Sequence, residues 1–198
     1  NKGHVTKTLS YIFPQAVIHV FEPIPEEYKA LTKNLASNKI LINQFAVSDR
    51  REEVEFFVND HAPSSSLLEV TNEMKKNIPA IKKSKKIKVK TITLNSYFRS
   101  QSLKDLVFLK IDVQGAEDLV LKGASKILKK ITLIHIETSF QKIYTNQVLF
   151  DDIYKFLFDN KFRYLGNAND SDYYPRFGLS LQENSIFINT EIEKRFKK

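Results

Sequence analysis

The run Leu106–Ile111 is almost unbroken in apolar residues, and directly after it Asp112-Val113-Gln114-Gly115 turns the chain into a helical pattern beginning near Ala116. A strand that is apolar along its whole length is buried on both faces, which points to a parallel strand covered by helices on each side. An ionisable acid at its far end has no place in such a core, because burying an unpaired charge is costly. Asp112 is therefore read either as a local cap or as a group delivered to the mouth of a sheet.

The rest of the chain alternates in the same way. A helical stretch, Val5 to Ile12, precedes the short apolar run Val17–Phe21. Between Pro25 and Asn38, Tyr28, Leu31 and Leu35 fall at helical spacing, with Glu26 and Glu27 suitably placed in the first turn. Ile40–Val47, Val54–Val58 and Ile87–Ile92 read as strands. A helix from Ala116 to Lys130, a strand Ile131–Ile136 and a helix Phe150 to Asn160 follow. Phe162–Leu165 and Ser185–Ile188 read as a terminal antiparallel pair. The pattern predicts one domain of α/β class, a mostly parallel, Rossmann-like sheet with an antiparallel C-terminal hairpin. In such sheets ligands bind beyond the carboxyl ends of the strands, which puts Asp112 at the mouth.

The formal net charge of +8 invites a nucleic-acid or membrane partner, so its location matters. Lys75–Lys90 holds eight lysines and no acid, and without it the chain is formally neutral. The segment has no Arg for forked phosphate or base contacts, which argues against nucleic acid. Lys86-Ile87-Lys88-Val89-Lys90 alternates like an edge strand with one solvated lysine face. Contact with an anionic surface through Lys75–Lys90 stays open as an alternative. No apolar run is long enough to span a bilayer. The absence of cysteine excludes disulfides and thiolate metal sites and fits a cytoplasmic location.

Four stretches carry chemistry. Gly3 lies just before the first helix, and Glu22 follows it by nineteen residues at the end of a strand. That is the spacing at which nucleotide-binding folds set an acid on ribose hydroxyls. In Phe45-Ala46-Val47-Ser48-Asp49, Val47 could pack on an adenine ring and Ser48 or Asp49 reach a ring nitrogen, or the serine and aspartate simply turn the chain. Asp112 is followed by Gly115 and by two first-turn acids, Glu117 and Asp118, which suit a helix dipole. Lys110 shares Asp112's strand face and could be its partner. Glu137 ends a strand predicted to lie beside the one ending in Asp112, so the two carboxylates could take a substrate proton or share a cation. His135, one pleat back, reads as a core histidine, and no ligand cluster at diagnostic spacing points to a dedicated metal site.

The ordered series NKGH, VFEPIPEEYKALTKNL, FAVSD, SSSLL, VKTITLNSY, FLKIDVQGAEDLVLKGA and IHIETSF resembles the FkbM-type methyltransferases, from Asn1 to about Asn189. The resemblance implies S-adenosylmethionine as cofactor and a hydroxyl acceptor on a sugar, polysaccharide or secondary metabolite. It also implies that Asn1 and Gly3 belong to the cofactor loop, Glu22 to the ribose contact, Val47 and Ser48 to the adenine end, and Asp112 to the methionine end. Asp112 and Glu137 are the candidate catalytic bases. Three departures accompany it. The sheet's first strand, expected before Asn1, is missing and would leave an apolar edge open. Asn95 replaces the usual Asp, which is expected to alter a helix cap, and Gln114 stands where Glu is common. The loop Ala62–Leu68 and the segment Ser139–Tyr144 are expected to line the acceptor pocket. Two rival classes remain, a methyltransferase acting on RNA and a non-catalytic domain that keeps the fold as an interaction surface.

Overall fold

The computed structural model describes residues 3–35, 37–59, 62–77, 81, 84–101, 103, 106–174 and 179–196. Helix α1 (His4–Ile12) leads into strand β1 (Ile18–Phe21), then helix α2 (Pro25–Asn34) and strand β2 (Ile40–Asn43). Helix α2 has Pro25 at its start, Glu26 and Glu27 in its first turn and Lys33 in its last, each matched to the local dipole. It buries Leu31. Strands β1 and β2 pair in parallel from Ile18↔Ile40 to Phe21↔Asn43.

The expected strand Ile40–Val47 is split. Strand β3 is only Ala46–Val47 and belongs to a different sheet. There it pairs in parallel with the end of strand β5 (Ser84–Ile92), whose other side pairs antiparallel with strand β4 (Glu53–Asn59). Strand β4 thus pairs with β5 over Ser84–Lys90 and β3 only at Thr91 and Ile92, so the lysine-rich portion of β5 keeps one open flank among the described residues. Lys86 reaches Glu55 at 2.8 Å and sits over the Phe57 ring, while Lys88 approaches Glu53 at 3.5 Å. These exposed pairs are individually weak, but they match part of the segment's charge within its own hairpin. Helix α3 (Asn72–Asn77) lies in the connection between β4 and β5.

Helix α4 (Leu94–Tyr97) follows β5, and its cap is Thr93, whose side chain accepts from Ser96 N. Asn95, expected at the cap, instead accepts from Lys126 N at 2.9 Å and donates to Ser125 Oγ at 3.2 Å, clamping α4 to a later loop. Tyr97 ties this region to β1 through a 2.9 Å hydrogen bond with His19 and an edge contact with Phe21.

Strand β6 (Phe108–Ile111) pairs in parallel with β7 (Leu133–Ser139), which pairs antiparallel with β9 (Leu179–Asn189), itself antiparallel to β8 (Phe162–Tyr174). The C-terminal hairpin is therefore present and longer than its apolar residues indicate. Among the described residues the fold is mixed α/β with three sheets, and the pairings are three parallel and three antiparallel rather than mostly parallel. The long charged hairpin β4–β5 accounts for the difference, since one of its faces is solvated and needs no covering helix.

Helix α5 (Glu117–Gly123) stops well short of Lys130, with a 3-10 turn, Leu128–Lys130, after it. Helix α6 (Phe150–Asp159) buries Ile153 and Leu157, and a short helix α7 (Thr190–Glu193) follows β9. The main core gathers Val47, Leu94, Ile111, Val120, Leu121, Ile134, Ile136, Leu157, Phe162 and Phe187. Each such aliphatic or aromatic side chain contributes about 1.5–3 kcal/mol by leaving water. Phe21 packs against the same cluster, so the ends of β1, β3 and β6 rest on one core.

Candidate active site

Ile111, 2% exposed, anchors the end of β6, and the next residue, Asp112, emerges from the core. Lys110, two residues back on the same strand face, reaches Asp112 Oδ2 with its Nζ at 2.8 Å. Burial works to raise the Asp112 carboxyl, but the Lys110 charge and hydrogen bonds from Lys110 and Gln114 outweigh it and hold the group below its ordinary value. Asp112 is ionised and committed to a partner.

The chain then turns through two left-handed residues, Gln114 (φ 58) and Gly115 (φ 97). At Gly115 only glycine serves, because a Cβ would also lie 2.7 Å from the Tyr144 ring. Glu117 Oε1 closes the turn by accepting from Val113 N at 3.2 Å and Gly115 N at 3.1 Å. It is 4% exposed, and burial pushes it up to about 7 against the pull of those backbone donors.

Strand β7 runs beside β6 with Lys110↔His135 and Ile111↔Ile136 in register, so Glu137 comes next to Asp112. It does not end its strand, which continues to Ser139. Gln114 Nε2 bridges the two acids, donating to Asp112 Oδ1 at 3.0 Å and Glu137 Oε2 at 2.8 Å. Gln182, from β9, donates to the same Glu137 Oε2 at 2.9 Å. Burial and then the charges of Asp112 and Glu117 push Glu137 up to about 8. The two carboxyls thus differ sharply: one is ion-paired and acidic, the other holds its proton near neutrality.

Two loops close over this group. Ser66, fully buried, donates its hydroxyl to the Gln114 carbonyl at 2.6 Å. The Tyr144 hydroxyl lies 2.9 Å from Gln114 Oε1 and 3.0 Å from the Ser64 carbonyl, its one hydrogen shared between the two acceptors. With 1% exposure Tyr144 offers no ring face to a ligand, and its burial first, then the nearby carboxylates, raise its hydroxyl well above the ordinary value. Gln147 holds the Tyr144 loop by accepting from Ile143 N and Tyr144 N and donating to Ser139 Oγ. Phe140 is half-exposed and stacks on Phe150.

The other residues singled out from the sequence lie elsewhere on the same frame. Glu22 follows β1, its Oε1 accepting from Ile24 N at 2.9 Å, and burial raises its carboxyl. Gly3 opens α1 and packs on Leu31 of α2 and on Leu35 just after it, and Asn1 lies outside the described residues. Val47 is buried in the main core. Ser48 is 4% exposed, with its hydroxyl on Asp49 and its carbonyl against Gly123. The structure thus joins Asp112 and Glu137 through the Gln114 amide, while Glu22, Val47 and Asp112 adjoin the core that Phe21, Val47 and Ile111 share. Gln182 and Gln147 are not singled out by the sequence, and Ser66 only as part of the loop Ala62–Leu68. Gln147 follows the polar pair Thr145-Asn146 and precedes Val148-Leu149, so no local pattern marks it as a buried polar group.

A shallow depression lined by Phe45, Arg51, Glu52, Glu53, Lys90 and Thr91 lies on the β3–β5–β4 sheet and shares no residue with the carboxylate group. Among the described residues no cluster of three or more His, Cys, Asp or Glu is arranged to hold a metal. None of the described helices is long and apolar enough to cross a membrane.

The α/β frame sets two unlike carboxyls side by side, one just after β6 and one on β7, and comparison with known proteins gives the family. The methyltransferase FkbM domain matches residues 3–164, and the chain belongs to that family. It is also similar to the 2-O-methyltransferase NoeI of Sinorhizobium fredii (strain NBRC 101917 / NGR234), with 24% identity over 156 residues. That match covers 75% of this chain and 64% of the relative's length. No solved structure matches the chain significantly.

Proposed function

We propose that the protein is an S-adenosylmethionine-dependent O-methyltransferase that methylates a hydroxyl of a sugar, polysaccharide or secondary metabolite. The observation that carries this reading is the pair Asp112 and Glu137, bridged by one amide yet oppositely shifted. An alcohol is a poor nucleophile and gains from a base whose affinity for protons is near the working pH. Glu137 meets that requirement. Asp112, neutralised by Lys110, is too weak a base and serves as fixed negative charge.

The donor set suits the cofactor. Asp112, Glu117 and Glu137 lie close together beside the Lys110 ammonium, and a cationic ligand bound there would favour the ionised forms of Glu117 and Glu137. When bound, S-adenosylmethionine supplies an electrophilic methyl group on a sulfonium. Glu22 would hold the ribose hydroxyls, and Gly3 and Asn1 would belong to the loop beside it. Val47 and Ser48, being buried, would form the floor of the adenine end. Glu137 would take the acceptor's proton as the hydroxyl oxygen attacks, and the loops around Ser66 and Tyr144 would keep water from the group.

We further propose that the β1–β2 pair and the β6–β7–β9–β8 sheet are parts of one Rossmann-like sheet, with a further strand between β1 and β6. In support, none of the four β1 residues is fully buried, Phe108 at the start of β6 is 44% exposed, and both strands lack a second partner among the described residues. The relative's printed name supports a hydroxyl acceptor. The reason to consider RNA is weakened by the pairing of Lys86 and Lys88 with Glu55 and Glu53.

The test is calorimetry with S-adenosylmethionine, followed by transfer of a labelled methyl group to neutral glycosides and polysaccharides. Binding is expected, with Glu22→Ala weakening it at least about tenfold, the loss of one charge-assisted contact. Unchanged affinity in Glu22→Ala would remove the ribose assignment, and no binding by the full chain would overturn the reading.

A further inference from the structure

We propose that Gln114 is a positioning residue that assigns the site's mobile proton to a single atom, Glu137 Oε1. The inference rests on Glu137 being the base in the proposed reaction. Glu137 Oε2 already accepts two N–H groups, from Gln114 at 2.8 Å and Gln182 at 2.9 Å, which fills both of its lone-pair directions. A proton arriving at this carboxyl therefore goes to Oε1.

The glutamine side chain is itself over-determined. Its Nε2 spends one hydrogen on Asp112 Oδ1 and the other on Glu137 Oε2, so its Oε1 must face the Tyr144 hydroxyl, 2.9 Å away. Turning the amide over would set a carbonyl oxygen against the ionised Asp112 and leave the tyrosine without that acceptor, which fixes the orientation. Its backbone is held as well, since the Gln114 carbonyl accepts the buried Ser66 hydroxyl. An amide is the one group that can sit here neutrally and donate to both acids together. A glutamate at this position could donate at most one proton and would bring a third carboxyl to the two it separates.

The charged and titratable groups facing Glu137 are Asp112 and Lys110 from β6 and its loop, Glu117 from α5, and Tyr144 from the covering loop. Of these, Lys110 is engaged with Asp112 Oδ2 and Glu117 with backbone donors. Control over which Glu137 oxygen is protonated therefore falls to the two glutamines, and only Gln114 touches both acids.

The experiment uses the full 198-residue chain labelled with ¹³C at the Asp and Glu side-chain carboxyls, with the two resonances assigned through Glu137→Gln and Asp112→Asn. Carboxyl shifts are followed across pH in the wild type, Gln114→Met and Gln182→Met. Removing a donor from a carboxylate makes protonation easier. Gln114→Met is expected to move both the Asp112 and Glu137 midpoints upward by about half a unit or more, and Gln182→Met to move Glu137 alone. A Glu137 midpoint unchanged in Gln114→Met would overturn the inference, as would equal movement of Asp112 in both variants, which signals general loosening. Calorimetry with S-adenosylmethionine on the wild-type sample separates the two readings. Midpoints that move as expected in a protein that binds no S-adenosylmethionine leave the role of Gln114 standing and the proposed function refuted.

Discussion

Gly123 and Ser48 touch through their backbones: a Cβ placed on Gly123 would lie 2.1 Å from the Ser48 carbonyl oxygen. The contact presses the last turn of α5 onto the end of β3, and with it the helix that carries Glu117. Because the obstructing atom belongs to the main chain, no rotamer can relieve it. Gly123→Ala is expected to cost about 2 kcal/mol or more, as overpacking of a closed interface does. In thermal unfolding that amounts to a midpoint lower by roughly 5 °C for a chain of this size.

Tyr144 offers a cleaner test of the covering loop. Its ring packs on Gly115 and its hydroxyl serves both Gln114 Oε1 and the Ser64 carbonyl. Tyr144→Phe keeps the ring but leaves two acceptors without their donor, at a cost of about 1–3 kcal/mol. The expected result is a lower denaturant midpoint with an unchanged slope, since the surface buried on folding stays the same.

Lys110→Met asks what keeps Asp112 acidic. Removing the ammonium 2.8 Å from Oδ2 takes away the main force opposing burial and leaves the Gln114 hydrogen bond and the N-terminal charge against it. The Asp112 carboxyl is expected to titrate above its ordinary value in the variant and below it in the wild type, as read from its ¹³C shift. Equal midpoints in the two proteins would show that Lys110 does not set this charge.

Much of this site can be read from local sequence. Lys110 and Asp112 share a strand face because side chains alternate along a strand, and their pairing follows. The adjacency of β6 and β7 follows from two apolar runs joined by one helix. What could not be read depends on register over long separations. Gln182 meets Glu137 only because β9 pairs antiparallel at Ser139↔Gln182, a register that no residue near Glu137 announces. The close approach of Gly123, in the last turn of α5, to the Ser48 carbonyl far upstream is likewise announced by no residue near it. The division of Ile40–Val47 between two sheets follows the same logic, since Ala46 and Val47 take Thr91 and Ile92 as partners rather than extending the β1–β2 pair.

The carboxyl group should also make the protein less stable as pH rises. Glu137 and Glu117 have ordinary values of 4.5 and stand at about 8 and about 7 in the folded protein. Between pH 4.5 and those values the folded state binds more protons than the unfolded chain, so stability falls as pH increases. The contribution is fully present below pH 4.5, declines through the neutral range and levels off above about 8. Asp112 works in the opposite sense, its depressed value adding stability that disappears only in acid. The expected thermal midpoint therefore peaks on the acid side of neutrality and drops several degrees by about pH 9, at a slope of up to about 1.4 kcal/mol per pH unit for each proton. Glu137→Gln has nothing to ionise and keeps a neutral group between the two glutamine donors, so its curve should flatten between pH 6 and pH 9, by about half or more. If wild type and variant lose stability in parallel across that range, the buried proton is not on Glu137.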